Sequence, residues 1–276
     1  MMEAALRRLR SLRENMVDFL KILVKDALET VRSGYYNINF KVGKISSRAS
    51  LRGSIISCLH APIIAEVKPV SPSYGMLRQI TDISKLAGEI EDGGAVGISV
   101  LTEPKHFGGS LTSLADVKRH IKLPVLMKDI IVDPIQIEAA ANIGADAILL
   151  IYSVFRGGYV EYSPNDFINL AHSKGLEVLL EVHTKGEFLS AIETDADLIG
   201  VNNRDLSTLR VDLNVTRNVL SGVGACDKII VSESGIRSVE DIRILRSYGA
   251  RAFLIGSAIM LADNVKEKIR ELMLAL

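Results

Sequence analysis

Amines and carboxylates stand at the ends of short apolar runs in this sequence. Ile63-Ile64-Ala65 leads into Glu66 and Lys68, Val125-Leu126-Met127 into Lys128, and Val178-Leu179-Leu180 into Glu181. Leu198 to Val201 ends on Asn202 with Arg204 just after it, and Ile229-Ile230-Val231 runs into Glu233-Ser234-Gly235. Alternate side chains of a strand share a face, so Glu66 and Lys68 point the same way, as do Asn202 and Arg204. Lys68, Lys128, Glu66, Glu181 and Glu233 in one pocket would satisfy one another electrostatically. They could also hold split protonation states, one group serving as acid and another as base. Any one of them alone could be a structural ion-pair partner; all of them at the same end of successive runs favour chemistry.

A second signal is a cradle for phosphate. Ser234-Gly235 follows one run, and Gly256-Ser257-Ala258 follows Phe253-Leu254-Ile255. Glycine lets backbone N–H groups approach an anion closely, and a helix N-terminus favours negative charge. Ser71-Pro72-Ser73-Tyr74-Gly75 has the composition of a loop and reads as a mobile lid that places Ser71 near the phosphate. Phe107 is suited to stacking on a planar ligand. His183 reads as a structural or rim residue, and His60, His120 and His172 as surface. Arg156-Gly157-Gly158-Tyr159 reads as a flexible loop without an assigned role. No His, Cys and Asp cluster has metal-ligand spacing, so no metal site is expected.

Apolar runs this short read as buried parallel strands. Their starts fall at Ile63, Val96, Val125, Ala147, Glu177, Leu198, Ile229 and Ala252. Amphipathic stretches lie between them: Ile83 to Glu91, Ile135 to Asn142, Pro164 to Lys174, Lys185 to Glu193 and Val239 to Ser247. Gly144, Gly175 and Gly249 follow helical stretches, where a left-handed residue ends a helix. The repeat predicts an α/β fold, a (β/α)8 TIM barrel, with polar strand ends gathered at its C-terminal face. A doubly wound sheet is the rival, disfavoured by the lack of a switch-point fingerprint.

Before the barrel, Leu6, Leu9, Leu12, Met16, Leu20, Leu23 and Ala27 form one apolar stripe of a helix. The polar segment Ser33 to Ser57 is expected to hold a second short helix capping the barrel's N-terminal end. The whole, residues 1–276, is expected to be a single barrel domain with residues 1–60 as an N-terminal helical extension. Lys plus Arg and Asp plus Glu are both 33, so nucleic acid and anionic membranes are not expected as partners. No apolar run reaches a membrane span. Cys58 and Cys226 lack metal-type neighbours and fit a reducing, cytoplasmic compartment.

The sequence resembles the indole-3-glycerol phosphate synthases. The resemblance rests on Ile63-Ile64-Ala65-Glu66-Val67-Lys68 with Ser71-Pro72-Ser73, on Leu101-Thr102-Glu103 with Phe107, and on Leu126-Met127-Lys128-Asp129. It rests further on Glu181-Val182-His183, Gly200-Val201-Asn202-Asn203-Arg204-Asp205-Leu206, Ser232-Glu233-Ser234-Gly235-Ile236 and Leu254-Ile255-Gly256-Ser257. It implies ring closure, decarboxylation and dehydration of 1-(2-carboxyphenylamino)-1-deoxyribulose 5-phosphate, with no metal or organic cofactor. It implies Lys128 as general acid, Lys68 on the substrate carboxylate and as proton donor at dehydration, and Glu181 as proton acceptor with Glu66 as its neighbour and alternative. Glu233 and Asn202 would orient hydroxyls and lysines, with Arg204 as an ion-pair partner. Ser71, Ser234, Gly235, Gly256 and Ser257 match phosphate-site positions, and Phe107 and Leu206 an anthranilate slot. Other enzymes of tryptophan biosynthesis are implied as partners. The sequence departs from the family at Pro69-Val70, at Gly108 and at Ile130, where an aromatic is common. Two other readings stay open: a Schiff-base aldolase on another phosphate-binding barrel, and a non-catalytic barrel in a biosynthetic complex.

Overall fold

The computed structural model describes residues 18–38, 48–224 and 226–275. Eight parallel strands close into a barrel: β1 (Ile63–Val67), β2 (Gly97–Leu101), β3 (Val125–Lys128), β4 (Ala147–Ile151), β5 (Glu177–Val182), β6 (Leu198–Asn202), β7 (Ile229–Glu233) and β8 (Ala252–Ile255). Each strand pairs with its neighbours in sequence, and β1 pairs with β8 to complete the ring. Seven starts agree with the sequence reading; the second strand begins at Gly97 because Val96 is a bend whose N–H bonds the Ile63 carbonyl.

Apart from Ser99, Ser232 and the polar residues at or near their ends, the strands are apolar because both faces are buried. One set of alternate residues, including Ile64, Leu126, Leu149, Leu179, Leu198, Val231 and Leu254, fills the barrel interior. The other set, including Ile63, Ala65, Val67, Met127, Leu150, Leu180 and Ile230, packs under the helices. This parity decides where the strand ends aim. Glu66 is two residues from Ile64, Lys128 from Leu126, Glu181 from Leu179 and Glu233 from Val231, so all four side chains continue the interior set.

The helices are α1 (Phe19–Arg32), α2 (Leu51–Ser57), α3 (Ile83–Gly93), α4 (Leu111–His120), α5 (Pro134–Ile143), α6 (Tyr152–Arg156), α7 (Pro164–Ser173), α8 (Lys185–Ala191), α9 (Asn214–Leu220), α10 (Val239–Ser247), α11 (Ser257–Met260) and α12 (Val265–Met273). Local chemistry sets their limits. Asp133, Ser163, Thr184 and Ser238 each cap a helix whose third residue bonds back to the cap. Gly144 ends α5 at φ 92°, a left-handed conformation costly for other residues. The loop expected at Arg156 to Tyr159 begins one residue later: Arg156 is the last residue of the helical turn Tyr152–Arg156, and in the turn that follows the Tyr159 ring lies against Gly157, leaving no space for a side chain there.

The extension serves both ends of the barrel. Helix α2 plugs the N-terminal end, with Leu51 fully buried against Gly97. In α1, Leu20, Leu23 and Ala27 are buried as the stripe predicts, while Leu6, Leu9, Leu12 and Met16 lie outside the described residues. No described helix is long and apolar enough to cross a membrane.

Candidate active site

The inward parity of the strand ends makes one cup at the C-terminal mouth. The Lys128 ammonium lies 3.6 Å from Glu181 Oε2 and 3.6 Å from Glu233 Oε2. Lys68 is paired directly with Glu66 Oε2, two residues back on the same strand face. Gly256 is required beside this pair, because a Cβ there would collide with the Glu66 carboxylate. Gly200 plays the same part for Glu233, whose Oε1 occupies the space a Cβ would take.

The electrostatics follow from burial and proximity. Burial opposes the charge on Lys128, but Glu181, Glu233 and Glu66 outweigh it and hold the ammonium above its ordinary pKa. Burial also opposes ionisation of Glu66, yet Lys68, Lys128 and Arg204 keep it below the usual carboxylate value. Glu233 goes the other way. Burial, with Glu181 and Glu66 nearby, pushes it up to about 8 against the pull of Lys128. Neither of its carboxylate oxygens finds a hydrogen-bond partner among the described residues. Lys68, Lys128 and Arg204 thus face Glu66, Glu181 and a Glu233 whose ionisation burial opposes, and the cup favours an anionic ligand.

The cup has two lobes that share Glu66, Lys68, Lys128, Arg204 and Ser234. One is apolar, walled by Phe19, Leu23, Phe107, Ile130, Leu149 and Leu206. The other is lined by Ser234, Gly235, Gly256 and Ser257 with Tyr74 and Arg237. A ribbon pairing Val70–Ser71 with Gly75–Met76 lies over the mouth. It is fastened: Arg204 donates to Ser73 Oγ, and Arg237 to the Tyr74 hydroxyl. An aromatic-sized apolar slot, a charged centre and a glycine-serine cradle in line suit a ligand with a planar ring at one end and an anionic group at the other.

Comparison with known proteins gives the same direction. The indole-3-glycerol phosphate synthase family matches the sequence over residues 24–272. The chain belongs to that family. The indole-3-glycerol phosphate synthase of Methanocaldococcus jannaschii is 40% identical over 263 residues, covering 94% of this chain and 95% of that protein. The proteins of the same name from Desulforamulus reducens and Sulfurisphaera tokodaii are 38% and 43% identical, covering 85% and 76% of this chain and 87% and 81% of their own lengths. Among solved structures, thiamine phosphate pyrophosphorylase from Pyrococcus furiosus aligns with a TM-score of 0.56 at 19% identity, over 81% of this chain and 96% of that one. That likeness shows the shared barrel alone.

In this indole-3-glycerol phosphate synthase family member, Glu66, Lys68, Lys128, Glu181, Arg204, Ser234, Gly235, Gly256 and Ser257 all border the cup, as do Phe107 and Leu206. Asn202 also lines it, with its Oδ1 accepting the Arg204 N–H at 2.9 Å. Ser71 is buried in the ribbon and borders the apolar lobe rather than the glycine-serine lobe. His183 lies at the rim, its Nδ1 2.8 Å from the Asn202 carbonyl oxygen. Among the described residues, no group of three His, Cys, Asp or Glu side chains is placed to hold a metal ion.

Sequence reasoning missed three contributions. Phe19 and Leu23 of α1 wall the apolar lobe, which no local signal in a helical stripe reveals. Glu103 is buried and accepts the N–H groups of Lys105, His106 and Phe107 at 2.9, 2.7 and 3.1 Å, shaping the turn that presents Phe107. The same turn is tied to α1 by His106 Nε2, 2.7 Å from Asp26 Oδ2. Asp129, next to Lys128, accepts from the Tyr36 hydroxyl at 3.0 Å and from Thr102. Burial lifts its pKa to about 6 despite these bonds and that of the Ile130 N–H. An acid inside the otherwise apolar stretch around Ile130-Ile131-Val132 was the available signal.

Proposed function

We propose that this chain converts 1-(2-carboxyphenylamino)-1-deoxyribulose 5-phosphate to indole-3-glycerol phosphate, with release of CO2 and water. The observation that carries the reading is the Lys128 ammonium held between Glu181 and Glu233 at the junction of an apolar lobe and a glycine-serine lobe. The anthranilate ring fits against Phe107 and Leu206, and the phosphate against Ser234, Gly235, Gly256 and Ser257. The carboxylate-bearing ring carbon then faces the ribulose carbonyl at the charged centre, where binding at both ends holds the reacting atoms together.

Each step has a group of the right kind. As the ring carbon bonds to the carbonyl carbon, Lys128 gives a proton to the developing alkoxide. Loss of CO2 returns its bonding electrons to the ring. Lys68 protonates the departing hydroxyl, which leaves as water. Glu181 takes the proton whose loss completes the indole, and Glu66, paired with Lys68, keeps that amine in place. Glu233 and Asn202 orient the hydroxyls, and Arg204 fixes the ribbon through Ser73. The carboxylates around Lys128 also bear on the aldolase alternative. A Schiff base needs a neutral amine, and three acids stabilise the charged form.

We further propose that residues 1–276 act as one barrel domain with residues 1–60 as its extension, in the cytoplasm and alongside other enzymes of the same pathway. Incubating the purified protein with the carboxyphenylamino substrate should give indole fluorescence that grows with time. Folded protein that yields no indole product sinks the assignment, and a borohydride-trapped adduct with a keto-phosphate would replace it with the aldolase.

A further inference from the structure

Asn203 makes no contact with the cup, yet it sits behind the turn that forms one end of it. The side chain is fully buried between the ends of β6 and β7 and the start of α9. Its Nδ2 donates to the Glu233 carbonyl at 3.0 Å, to the Ser234 carbonyl at 3.2 Å and to Ser232 Oγ at 3.0 Å. An amide carries two hydrogens, so one of them is shared. Its Oδ1 accepts the Thr216 N–H at 3.1 Å and the Thr216 hydroxyl at 2.8 Å. The Thr216 N–H is a fixed donor and the two carbonyls are fixed acceptors. The amide therefore has only one orientation that satisfies all of them.

Gripping two consecutive carbonyls has a geometric consequence. Each peptide unit is planar and trans, so its N–H points opposite to its C=O. The Glu233 carbonyl is also held by the Asn203 backbone N–H at 2.9 Å, a ladder bond between β6 and β7, so it keeps its direction whatever the side chain at 203. The Ser234 carbonyl is turned back to the buried amide itself, so the Gly235 N–H must point the other way. Ser234 and Gly235 themselves line the glycine-serine lobe; the Ser234 N–H points along the sheet towards the Leu254 carbonyl of β8, through the pairing of Glu233 with Leu254, while the Gly235 N–H donates to no other described residue. A backbone N–H left unbonded at a left-handed turn and aimed into a lobe is a donor for an anion. The conformation is not one the chain takes freely. Ser234 has φ 67° and Gly235 φ 83°, and a left-handed serine costs about 1 kcal/mol. The bonds from Asn203 hold that conformation.

We infer that Asn203 is a positioning residue for phosphate affinity: by clamping the Ser234 carbonyl from behind, it aims the Gly235 N–H at the substrate's phosphate. The inference rests on the proposed placement of phosphate in this lobe. It separates Asn203 from the neighbouring Asn202, which faces the cup and the reacting end of the substrate.

The test uses two half-ligands as competitive inhibitors, inorganic phosphate for one lobe and anthranilate for the other. In Asn203→Ala, the inhibition constant of phosphate and the KM should both rise about tenfold, as expected for losing a hydrogen-bonded clamp on the turn. The inhibition constant of anthranilate should stay within about twofold, since the apolar side chains that wall its lobe, Phe107 and Leu206 among them, make no hydrogen bond with Asn203. A residue that merely supports the fold would shift both inhibitors. Equal phosphate inhibition in wild type and variant overturns the inference and leaves the phosphate placement standing. Failure of phosphate to compete in the wild type removes the placement, and the inference with it. Should Asn203→Ala not fold, Thr216→Val keeps the amide and loosens its anchor. It should weaken phosphate in the same direction by a smaller factor; no change there also counts against the clamp.

Discussion

The two ends of the barrel both bury carboxylates, and they treat them in opposite ways. At the N-terminal end Asp146 is almost fully enclosed, and it accepts the N–H groups of Ala49 and Val125 at 2.9 and 2.8 Å and the Lys118 ammonium at 2.5 Å. Glu177 on the same end accepts from Ser50 and from the Arg52 N–H, tying α2 to the barrel. Bonding capacity there is spent within the protein. At the C-terminal end Glu233 is equally buried, but has no hydrogen-bond partner among the described residues and stands only within 3.6 Å of an ammonium it shares with Glu181. A satisfied buried acid is a fastener. An unsatisfied one is costly to the fold and available to a substrate.

The largest expected effect comes from removing the ammonium at the centre of the mouth. Lys128→Ala should lower kcat by about 10³-fold, the range of a general acid, while circular dichroism and the unfolding transition stay native. A variant keeping most of its kcat would reject Lys128 as the acid. The matching change at the other end should do the reverse. Asp146→Ala leaves Lys118 and two N–H groups without their acceptor, so urea unfolding should show a loss of about 3 kcal/mol. The folded fraction should keep its kcat within about twofold, and a large fall in kcat would erase the distinction between the ends.

Asp129 sharpens the comparison through pH. Its folded pKa of about 6 lies above the ordinary carboxylate value, so its contribution to stability is present in full below pH 4 and is lost as pH rises through 6. Relative to Asp129→Asn, the wild type should lose about 3 kcal/mol of unfolding free energy across that window. A constant difference between the two proteins from pH 4 to 7 would mean the acid is not strained by burial. Gly200→Ala is the gentlest probe. The added methyl must displace the Glu233 carboxylate, and kcat/KM should fall about tenfold with little change in stability. Unchanged kinetics would show that the position of Glu233 does not matter.

Much of this molecule is legible in its sequence, for identifiable reasons. Strands buried on both faces are near-continuous apolar runs, so seven of their starts could be read to the residue. The strand-end residues could be read because a charge after such a run has few stable places to go. What escaped depends on folding at a distance. Arg156 read as loop because Gly157-Gly158 follow it, whereas the helical turn Tyr152–Arg156 that it ends is fixed by Val154 in the barrel core. Phe19 and Leu23 read as ordinary stripe residues, since nothing in a helix states which end of a barrel it will cross. Glu103 gave no sign of its role because its partners are backbone N–H groups, present at every position.

The sequence by itself determined the alternation of strands and helices, the residues that could exchange protons and the parity that turns Glu66, Lys128, Glu181 and Glu233 inward, because side-chain direction along a strand is a local property. Only the tertiary structure decided that Lys128 stands between two carboxylates, that α1 walls the apolar lobe and that Asn203 grips the turn at Ser234. These depend on distances between segments far apart in the chain, and those distances are set by barrel closure rather than by any single stretch of residues.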